Sequence, residues 1–481
     1  MEELIFRILL TVLVVGLILG YLLSVRSVKR KQGQEHAPDF LVTYLPVVVL
    51  AALPVMGLFP SAALPMLSWL FGALLSLFAL TLLLLALTPL LRKRFSAGDC
   101  AELWLLPGLL MGVSVYFFRM PFTPWLVIRL PRTLLTILLA VWIAGFLVVL
   151  GWKVLSHLRF RESILRGAVP ASEADHALFR EVWNPLSGEN KRLGQRLRIV
   201  RSPAAVSPLS VGLFPRMTCL VLPQREYTEA ELRLIFRHEC LHLLHRDNAA
   251  KFSIAFLCAA GWFIPSLWPG LRRASEDLEL RCDEDATAGM GEEQRRAYAA
   301  LLLENAGTAE GFTTCLSASA SGLRYRLGRV LRPETRRSGL AVIALLSALF
   351  VFSLWSVGAA MDVGTVQTEV LDRNGKGWQV VSAEFHGEGE NLSLDPEAVE
   401  TRIGELGLTK LTWEAANYHF VSGSLDVKLQ TSYGSKLYLY FWMDSNGLRM
   451  NVRNGDGIHA KQTCYVVDAP ADLEWLRSLG G

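Results

Sequence analysis

The chain has 481 residues, of which 52% are apolar and only 19% are charged, and its mean hydropathy is +0.34. These values exclude an ordinary soluble enzyme and indicate several membrane spans. A net charge of +4 does not indicate direct nucleic-acid binding. The seven cysteines contain no C-x-x-C pair, so they imply neither a disulfide framework nor a cysteine-based zinc site.

Six apolar runs reach or approach the length that crosses the hydrocarbon core of a bilayer. They lie at residues 4–25, 41–59, 63–90, 101–118, 133–152 and 339–361. Acidic Glu2 and Glu3 precede the first run, and basic residues follow it. A cleavable signal peptide has the reverse arrangement, so we predict a retained span with its N-terminus outside. The later basic clusters then fall on the cytoplasmic side, although Arg119, Arg129 and Arg132 are placed outside.

The spans divide the chain into soluble and membrane parts. We expect a multi-span region over 1–152, a soluble cytoplasmic domain over 153–338, a transmembrane helix over 339–361 and an extracytoplasmic domain over 362–481. The last segment has 10 Lys+Arg against 17 Asp+Glu, a balance of −7, whereas the remainder has a balance of +11. This asymmetry indicates that the tail lies in a different compartment from the basic loops. The expected protein is therefore a polytopic, α-helical membrane protein.

The tail carries the turn signals of a small α+β domain, which is a candidate sensor. Asn374-Gly375 separates apolar runs at 366–371 and 378–385, and Asn446-Gly447 separates 436–443 from 448–452. Asn-Gly pairs favour tight β-hairpin turns. Between them, Asp395-Pro396-Glu397 predicts the start of a short helix that Gly407 closes.

The chemistry centres on His238-Glu239-Cys240-Leu241-His242, an H-E-x-x-H signature. Thr228 and Glu231 form a Thr-x-x-Glu capping box, which predicts a helix over 229–246. On that helix His238 and His242 lie one turn apart and can bind one Zn²⁺ together. Glu239 is then the candidate catalytic carboxylate, because it can take a proton from the attacking water.

A catalytic zinc site needs three protein ligands and one open position. Beyond Pro269, a second helix predicted over about 270–288 carries Glu279 and Asp283 one turn apart. Glu279 would complete a His₂Glu site, and Asp283 would accept the other ring N–H of a zinc-binding histidine. The alternative is that this acidic helix simply presents a solvated face.

Other candidates for the third ligand fit less well. The metzincin pattern requires glycine and histidine at positions occupied here by His245 and Asn248. His245 follows His242 too closely to bind the same ion with good geometry, and the side chain of Cys282 points away from the face of Glu279. The apolar run at 252–265 is too short to span, so we predict a buried or interfacial helix that keeps both halves of the site on the cytoplasmic side.

Several motifs between residues 200 and 290 resemble the BlaR/MecR family of bacterial membrane metallopeptidases, which act as sensor-transducers and antirepressors. These motifs are Ser207-Pro208, Gly212-Leu213-Phe214-Pro215, Leu222-Pro223, His238-Glu239 with His242, Arg246-Asp247, Trp262-Phe263 with Pro265, and Asp277-Leu278-Glu279-Leu280 with Cys282-Asp283. The resemblance implies a gluzincin-like domain with His238, His242 and Glu279 as zinc ligands and Glu239 as the catalytic carboxylate.

The resemblance also implies a function. An extracellular signal, from a ligand that the sequence does not identify, activates a cytoplasmic protease that cleaves itself or a winged-helix repressor. The β-lactam sensors of the family end in a large penicillin-binding domain with a Ser-x-x-Lys nucleophile. Here the tail is much shorter and lacks that spacing, so we do not expect β-lactam binding.

Two other functions stay open at this stage. The chain could be a membrane quality-control zinc protease, or a receptor whose peptidase core is inert. The segment Val211–Leu222 could be an edge strand that pairs with an extended substrate, or an ordinary core strand. The basic stretch at 324–332 could contact membrane lipid or a partner, or could anchor the last span.

Overall fold

The computed structural model describes residues 2–32, 60–114, 125–187, 197–212, 217–305, 313–315, 320–334, 336–354, 356–372, 377–387, 389–411, 423–444, 447–454 and 462–480. These residues form two compact units. The first takes in Met1–Val55, Ala73–Val115 and Trp142–Ser353, and the second takes in Met56–Gly72, Tyr116–Val141 and Leu354–Gly481. The predicted span at 41–59 lies outside the described residues.

The described part of the first unit is mostly helical. Its helices, two of which begin in the second unit, are α1 (Glu2–Gln32), α2 (Pro60–Arg94), α3 (Ala97–Ser114), α4 (Arg132–Leu165), α5 (Glu173–Ser187), α6 (Glu229–His245), α7 (Asp247–Ala260), α8 (Leu267–Ala286), α9 (Glu292–Glu304), α10 (Ala320–Leu331) and α11 (Leu340–Ser353). The two helices that we predicted around the candidate ligands are therefore present as α6 and α8.

Among the helices that the structure describes, two are long and apolar enough to cross a membrane. They comprise Trp69–Arg94 within α2 and Arg132–Leu165, which is α4. Two shorter apolar helices, Arg7–Gly20 and Leu340–Ser353, are the remaining described candidates. The predicted 101–118 run corresponds to α3, which packs against α8 and buries most of its apolar side chains.

The first unit also contains a small five-stranded sheet among its described residues. Its strands are β2 (Val169–Pro170), β3 (Arg198–Ser202), β4 (Leu209–Val211), β5 (Cys219–Pro223) and β6 (Thr313–Cys315). They follow the order β2-β3-β5-β4-β6, in which β3 and β5 alone are parallel among the described pairs. The predicted strand over Val211–Leu222 is therefore wrong: its ends belong to two antiparallel strands, and both have neighbours on each side.

Helix α6 forms because its ends are well capped and one face is apolar. Thr228 accepts a hydrogen bond from the Glu231 amide, while Glu231 accepts one from the Thr228 amide. Such a cap contributes about 1 kcal/mol. Apolar side chains of α6 pack with α5, β3 and β5 in one core. That core contains Leu178, Phe179, Trp183, Leu197, Ile199, Leu220, Leu222, Leu232, Ile235, Phe236, Cys240, Leu243, Leu244 and Leu301. This packing fixes the helix that carries His238 and His242.

The second unit contains a larger sheet. Its strands are β1 (Leu126–Pro131), β7 (Val357–Thr365), β8 (Gln379–Gly387), β9 (Glu390–Leu394), β10 (Gly407–Leu411), β11 (Ser424–Gln430), β12 (Lys436–Asp444), β13 (Gly447–Asn454) and β14 (Gln462–Asp468). Their order is β1-β7-β10-β14-β13-β12-β11-β8-β9. The β1–β7 pair is parallel, and the other described pairs are antiparallel.

One face of this sheet carries the core of the unit. Alternate strand residues such as Leu425, Val427 and Leu429 are buried there. Helices α12 (Pro396–Gly404) and α13 (Leu473–Ser478) add apolar side chains to the same core. The cap of α12 is the predicted one, because the Asp395 carboxylate accepts a hydrogen bond from the Ala398 amide.

Two expectations for the tail are wrong. The predicted helix over 339–361 ends at Ser353, and the chain enters β7 at Val357. Residues Gln367–Leu371, expected as a strand, form a short π-helical segment. The second predicted hairpin is present: β12 and β13 pair antiparallel, with Asp444 opposite Gly447. Asn374-Gly375 and Asn446 lie outside the described residues.

Candidate metal centre

The candidate ligands meet in the interior of the first unit. His238 and His242 lie on α6, Glu279 lies on α8, and each of these residues is at most 4% exposed. The two Nε2 atoms are 2.9 Å apart. Oε2 of Glu279 lies 3.5 Å from His242 Nε2 and 3.8 Å from His238 Nε2. The three atoms that we predicted as ligands therefore converge.

These spacings suit a small divalent cation. Tetrahedral Zn²⁺ with bonds of about 2.0–2.1 Å places its ligand atoms about 3.3 Å apart. The three observed distances lie on both sides of that value. Glu279 Oε2 is buried and accepts no hydrogen bond from any residue that the structure describes. Because a buried carboxylate oxygen needs a partner, this atom fits the role of a cation ligand.

The outer ring nitrogen of His242 is held by the start of the next helix. Its Nδ1 lies 2.6 Å from Asp247 Oδ2, so Nδ1–H donates and Nε2 faces the other ligands. Arg246 makes this contact possible, because its backbone adopts the left-handed region (φ 54°) and ends α6 one residue before α7 begins. Arg281 in turn donates a hydrogen bond to the other oxygen of Asp247. Neither Asp247 nor Arg281 was predicted for the site.

The outer ring nitrogen of His238 contacts a hydroxyl. Its Nδ1 lies 2.6 Å from Tyr298 Oη, which donates to Asp283 Oδ1 at 2.8 Å. The direct His238–Asp283 distance is 3.6 Å, so the predicted hydrogen bond between these two residues is replaced by a bridge through Tyr298. Because the hydroxyl proton is given to Asp283, the hydroxyl oxygen accepts from His238 Nδ1–H, and Nε2 of His238 is left for a cation.

Two cations border the ligand carboxylate. Lys251 of α7 donates to Glu279 Oε1 at 3.2 Å, and Arg326 Nη1 lies 3.4 Å from Glu279 Oε2. Arg326 also binds Asp283 through two hydrogen bonds of 2.6 and 2.8 Å. Although burial opposes the charged form, the charges of His242 and Lys251 hold the pKa of Glu279 well below its usual range. Glu279 is therefore ionised at neutral pH, as a metal ligand must be.

The two histidines differ in their protonation. Burial, together with the nearby His242, lowers the pKa of His238. Burial also works to lower the pKa of His242, but the surrounding Cys282 and Glu279 raise it well above its usual value. A cation bound between the rings would therefore compete with a proton on His242.

The remaining candidates lie close to this centre in different roles. Glu239 is fully buried on α6, next to His238 in sequence. His245 contacts Asp285 at 3.2 Å rather than Glu279. The side chain of Cys282 was predicted to point away from the face of Glu279. Its Sγ lies 3.1 Å from His242 Nδ1. It approaches the outer nitrogen of that ring, together with Asp247, on the side away from Glu279.

Comparison with known proteins agrees with this assembly. Residues 128–327 match the sequence profile of the BlaR1 peptidase M56 family. The regulatory protein BlaR1 of Bacillus licheniformis is 23% identical over 234 residues, which cover 48% of this chain and 38% of that protein. The chain thus spans less than half the length of this relative. The matched region contains His238, His242 and Glu279, and the family is one of metallopeptidases. On these grounds residues 128–327 form a domain of the BlaR1-type peptidase M56 family, a family of metallopeptidases.

Proposed function

We propose that this protein is a multi-pass membrane zinc metalloendopeptidase that converts an extracytoplasmic signal into proteolysis. The observation that carries the proposal is the convergence of His238 Nε2, His242 Nε2 and Glu279 Oε2 within 4.8 Å of one another, in a buried site. Two imidazoles and one carboxylate form a ligand set typical of catalytic zinc, with a position left for water. Glu239, on the same helix as the two histidines, is the carboxylate that would take the proton from the attacking water, so this ligand set suits a catalytic site.

The chemistry divides between the ion and the protein. Zn²⁺ held by His238, His242 and Glu279 would act as the Lewis acid of the site. Glu239 takes a proton from the water that attacks the peptide carbonyl and returns it to the leaving nitrogen. Asp247 and the Tyr298–Asp283 pair keep both imidazoles in the tautomer that presents Nε2, because each occupies a ring Nδ1.

The membrane arrangement of the proposal is supported by apolar helices and by strand pairing. Two described helices are long enough to span. Strand β1, which immediately precedes α4, pairs in parallel with β7 of the tail. In the arrangement that we propose, both strands lie on the same side of the bilayer. We place this side outside, where the sequence analysis put Arg129 and Arg132, and we place the peptidase centre in the cytoplasm.

The proposed substrate is a cytoplasmic repressor, the protein itself, or both. The tail domain has its own hydrophobic core, and a separately folded domain of this kind supports signalling over general quality control. The identity of the ligand does not follow from the chain.

The test compares the native protein with Glu239→Gln. The variant should keep one zinc per chain, measured by mass spectrometry of the purified protein, and should lose peptide cleavage by about 10²- to 10⁴-fold. Glu226→Gln, an exposed glutamate just before α6, is the matched control and should behave as wild type. In cells, a repressor or a fragment that accumulates only with Glu239→Gln identifies the substrate.

Three results would contradict the proposal. Purified protein without bound metal would exclude the centre. Equal cleavage by both proteins would exclude Glu239. Identical proteomes with and without the substitution, under conditions in which the tail is engaged, would favour an inert receptor. Accumulation of many unrelated membrane fragments would instead favour quality control.

A further inference from the structure

A small cavity with basic walls lies beside the helix that carries Glu279. Its volume is about 80 Å³, and the last turns of α8 form one wall through Leu280, Asp283, Glu284 and Thr287. The opposite walls carry four arginines, which are Arg295, Arg329, Arg332 and Arg336. A cavity of this size has room for several water molecules, and therefore for one phosphate group.

The charges around the cavity do not balance. Arg329 is paired with Glu284 at 3.3 Å, and Arg336 is paired with Glu334 at 3.0 Å. The third carboxylate of the lining, Asp283, is already bound by Arg326. Arg295 and Arg332 form no ion pair with any residue in the described part of the chain, so two positive charges face the cavity unmatched.

One of these guanidinium groups lacks a partner that it needs. Nε of Arg295 is buried and makes no hydrogen bond to any described residue. A buried charged donor without an acceptor costs free energy, which a bound anion would recover. The planar donor arrangement of arginine is well suited to phosphate oxygens.

The backbone brings the cavity to the end of two apolar helices. Helix α2 ends at Arg92-Lys93-Arg94, and Arg336-Arg337 precede α11. The two ends are joined, because the Arg337 amide donates to Arg94 O and the Ser96 amide donates to Arg337 O. Arg329 and Arg336, which line the cavity, both donate to Arg92 O. If α2 and α11 cross or enter the bilayer, the cavity opens at the level of the lipid headgroups.

We propose that this cavity binds the phosphate of an anionic phospholipid headgroup. The proposal rests on the membrane location given under the proposed function. Two guanidinium groups without an ion pair among the described residues, beside the basic end of a candidate span, match the known preference of basic clusters for anionic lipid. The headgroup would contact α8 one turn beyond the ligand Glu279, so that lipid binding would stabilise the helix that completes the metal centre.

The test uses the full chain in nanodiscs of phosphatidylcholine, with or without phosphatidylglycerol. Native mass spectrometry counts the lipids that stay bound, and thermal unfolding reports the stability of the peptidase. The wild type should retain phosphatidylglycerol and unfold at a higher temperature when it is present. The double variant Arg295→Gln/Arg332→Gln should bind this lipid about tenfold more weakly or worse, because two charged donors are lost.

The control removes two arginines elsewhere. In Arg233→Gln/Arg296→Gln, both side chains are exposed and pair with glutamates of their own helices, so lipid retention should match the wild type. Equal retention by the two double variants would overturn the proposal. A rise in unfolding temperature on addition of inorganic phosphate in pure phosphatidylcholine, as large as that with phosphatidylglycerol, would overturn the lipid as the source of the phosphate.

Metal analysis of the same samples separates this proposal from the proposed function. A zinc-loaded, active protein that does not distinguish the two lipids refutes the lipid site alone. A protein without zinc that still retains phosphatidylglycerol through Arg295 and Arg332 refutes the metallopeptidase and supports the lipid site.

Discussion

Arg92, near the end of α2, donates from Nε to Asp277 of α8 at 2.6 Å, and the Asp277 side chain is only 1% exposed. Asp277 also accepts a hydrogen bond from Trp104 Nε1 of α3. It lies two residues before Glu279. A buried ion pair thus connects a candidate membrane helix to the helix that carries Glu279, the proposed third ligand. Movement of α2 along its axis would act on α8 through this contact.

We expect Arg92→Met to destabilise the protein by about 3–5 kcal/mol, because the buried Asp277 carboxylate loses its positively charged partner. Asp277→Asn should cost less, since the amide can still accept from Trp104. The double variant should recover part of the loss, and a double-mutant cycle of unfolding midpoints measures the coupling. Strictly additive losses would show that the pair contributes nothing as a pair.

Asp247→Asn should weaken metal binding by about 10- to 100-fold, because the ring of His242 loses its charged acceptor. Competition with a zinc-binding dye measures the affinity. Asp175→Asn is the matched control: Asp175 is also buried and bound by an arginine, Arg201, but lies away from the ligands. Equal loss in both variants would mean that the effect is general destabilisation.

Tyr298→Phe should remove the link between His238 and Asp283 and lower metal affinity about tenfold. If the hydroxyl acts only through Asp283, then Tyr298→Phe and Asp283→Asn should not be additive in metal affinity. Tyr227→Phe removes a hydroxyl that contacts Asn305 instead and should leave the affinity unchanged. Full additivity would separate the two residues into independent roles.

The Asp175–Arg201 pair predicts a pH dependence of stability. Burial acts to raise the pKa of Asp175. The hydrogen bonds and charge of Arg201 have the larger effect, so the pKa lies below its usual value. A carboxyl with a depressed folded pKa stabilises above its unfolded pKa and loses that contribution as the pH falls through the folded pKa. Asp175→Asn should therefore lower the unfolding midpoint by a few degrees near neutral pH. The difference should shrink in acid below the usual aspartate pKa of about 4. A difference that does not depend on pH would contradict this account.

Sequence reasoning succeeded where the signals are local. The Thr228–Glu231 cap and the Asp395-Pro396 start each depend on residues within one turn, and both helices begin where predicted. The pairing of His238 and His242 also follows from helical spacing alone. The prediction of Glu279 required a second helix, but the spacing of Glu279 and Asp283 by one turn again followed from helical geometry alone.

The failures are contacts made over long separations. Tyr298 reaches His238 across 60 residues, and Arg326 reaches Asp283 across 43. Neither carries a motif, so only the packing of α9 and α10 against α8 reveals them. Asp247 did stand beside Arg246 in a family-like motif, but its role appears only when the left-handed turn folds it back on His242. The 339–361 run was misread because apolarity does not distinguish a helix from the buried strand that follows Ser353.

The parallel pair of β1 and β7 has a mechanical consequence. Strand β1 ends at Pro131 and α4 begins at Arg132, while α11 ends at Ser353 only a few residues before β7 starts at Val357. Pro131 and Arg132 are adjacent in the chain, and only three residues separate Ser353 from Val357. Under the proposed function, a ligand that displaced these neighbouring strands would therefore act on the ends of α4 and α11 at the same time, through only a few residues of chain.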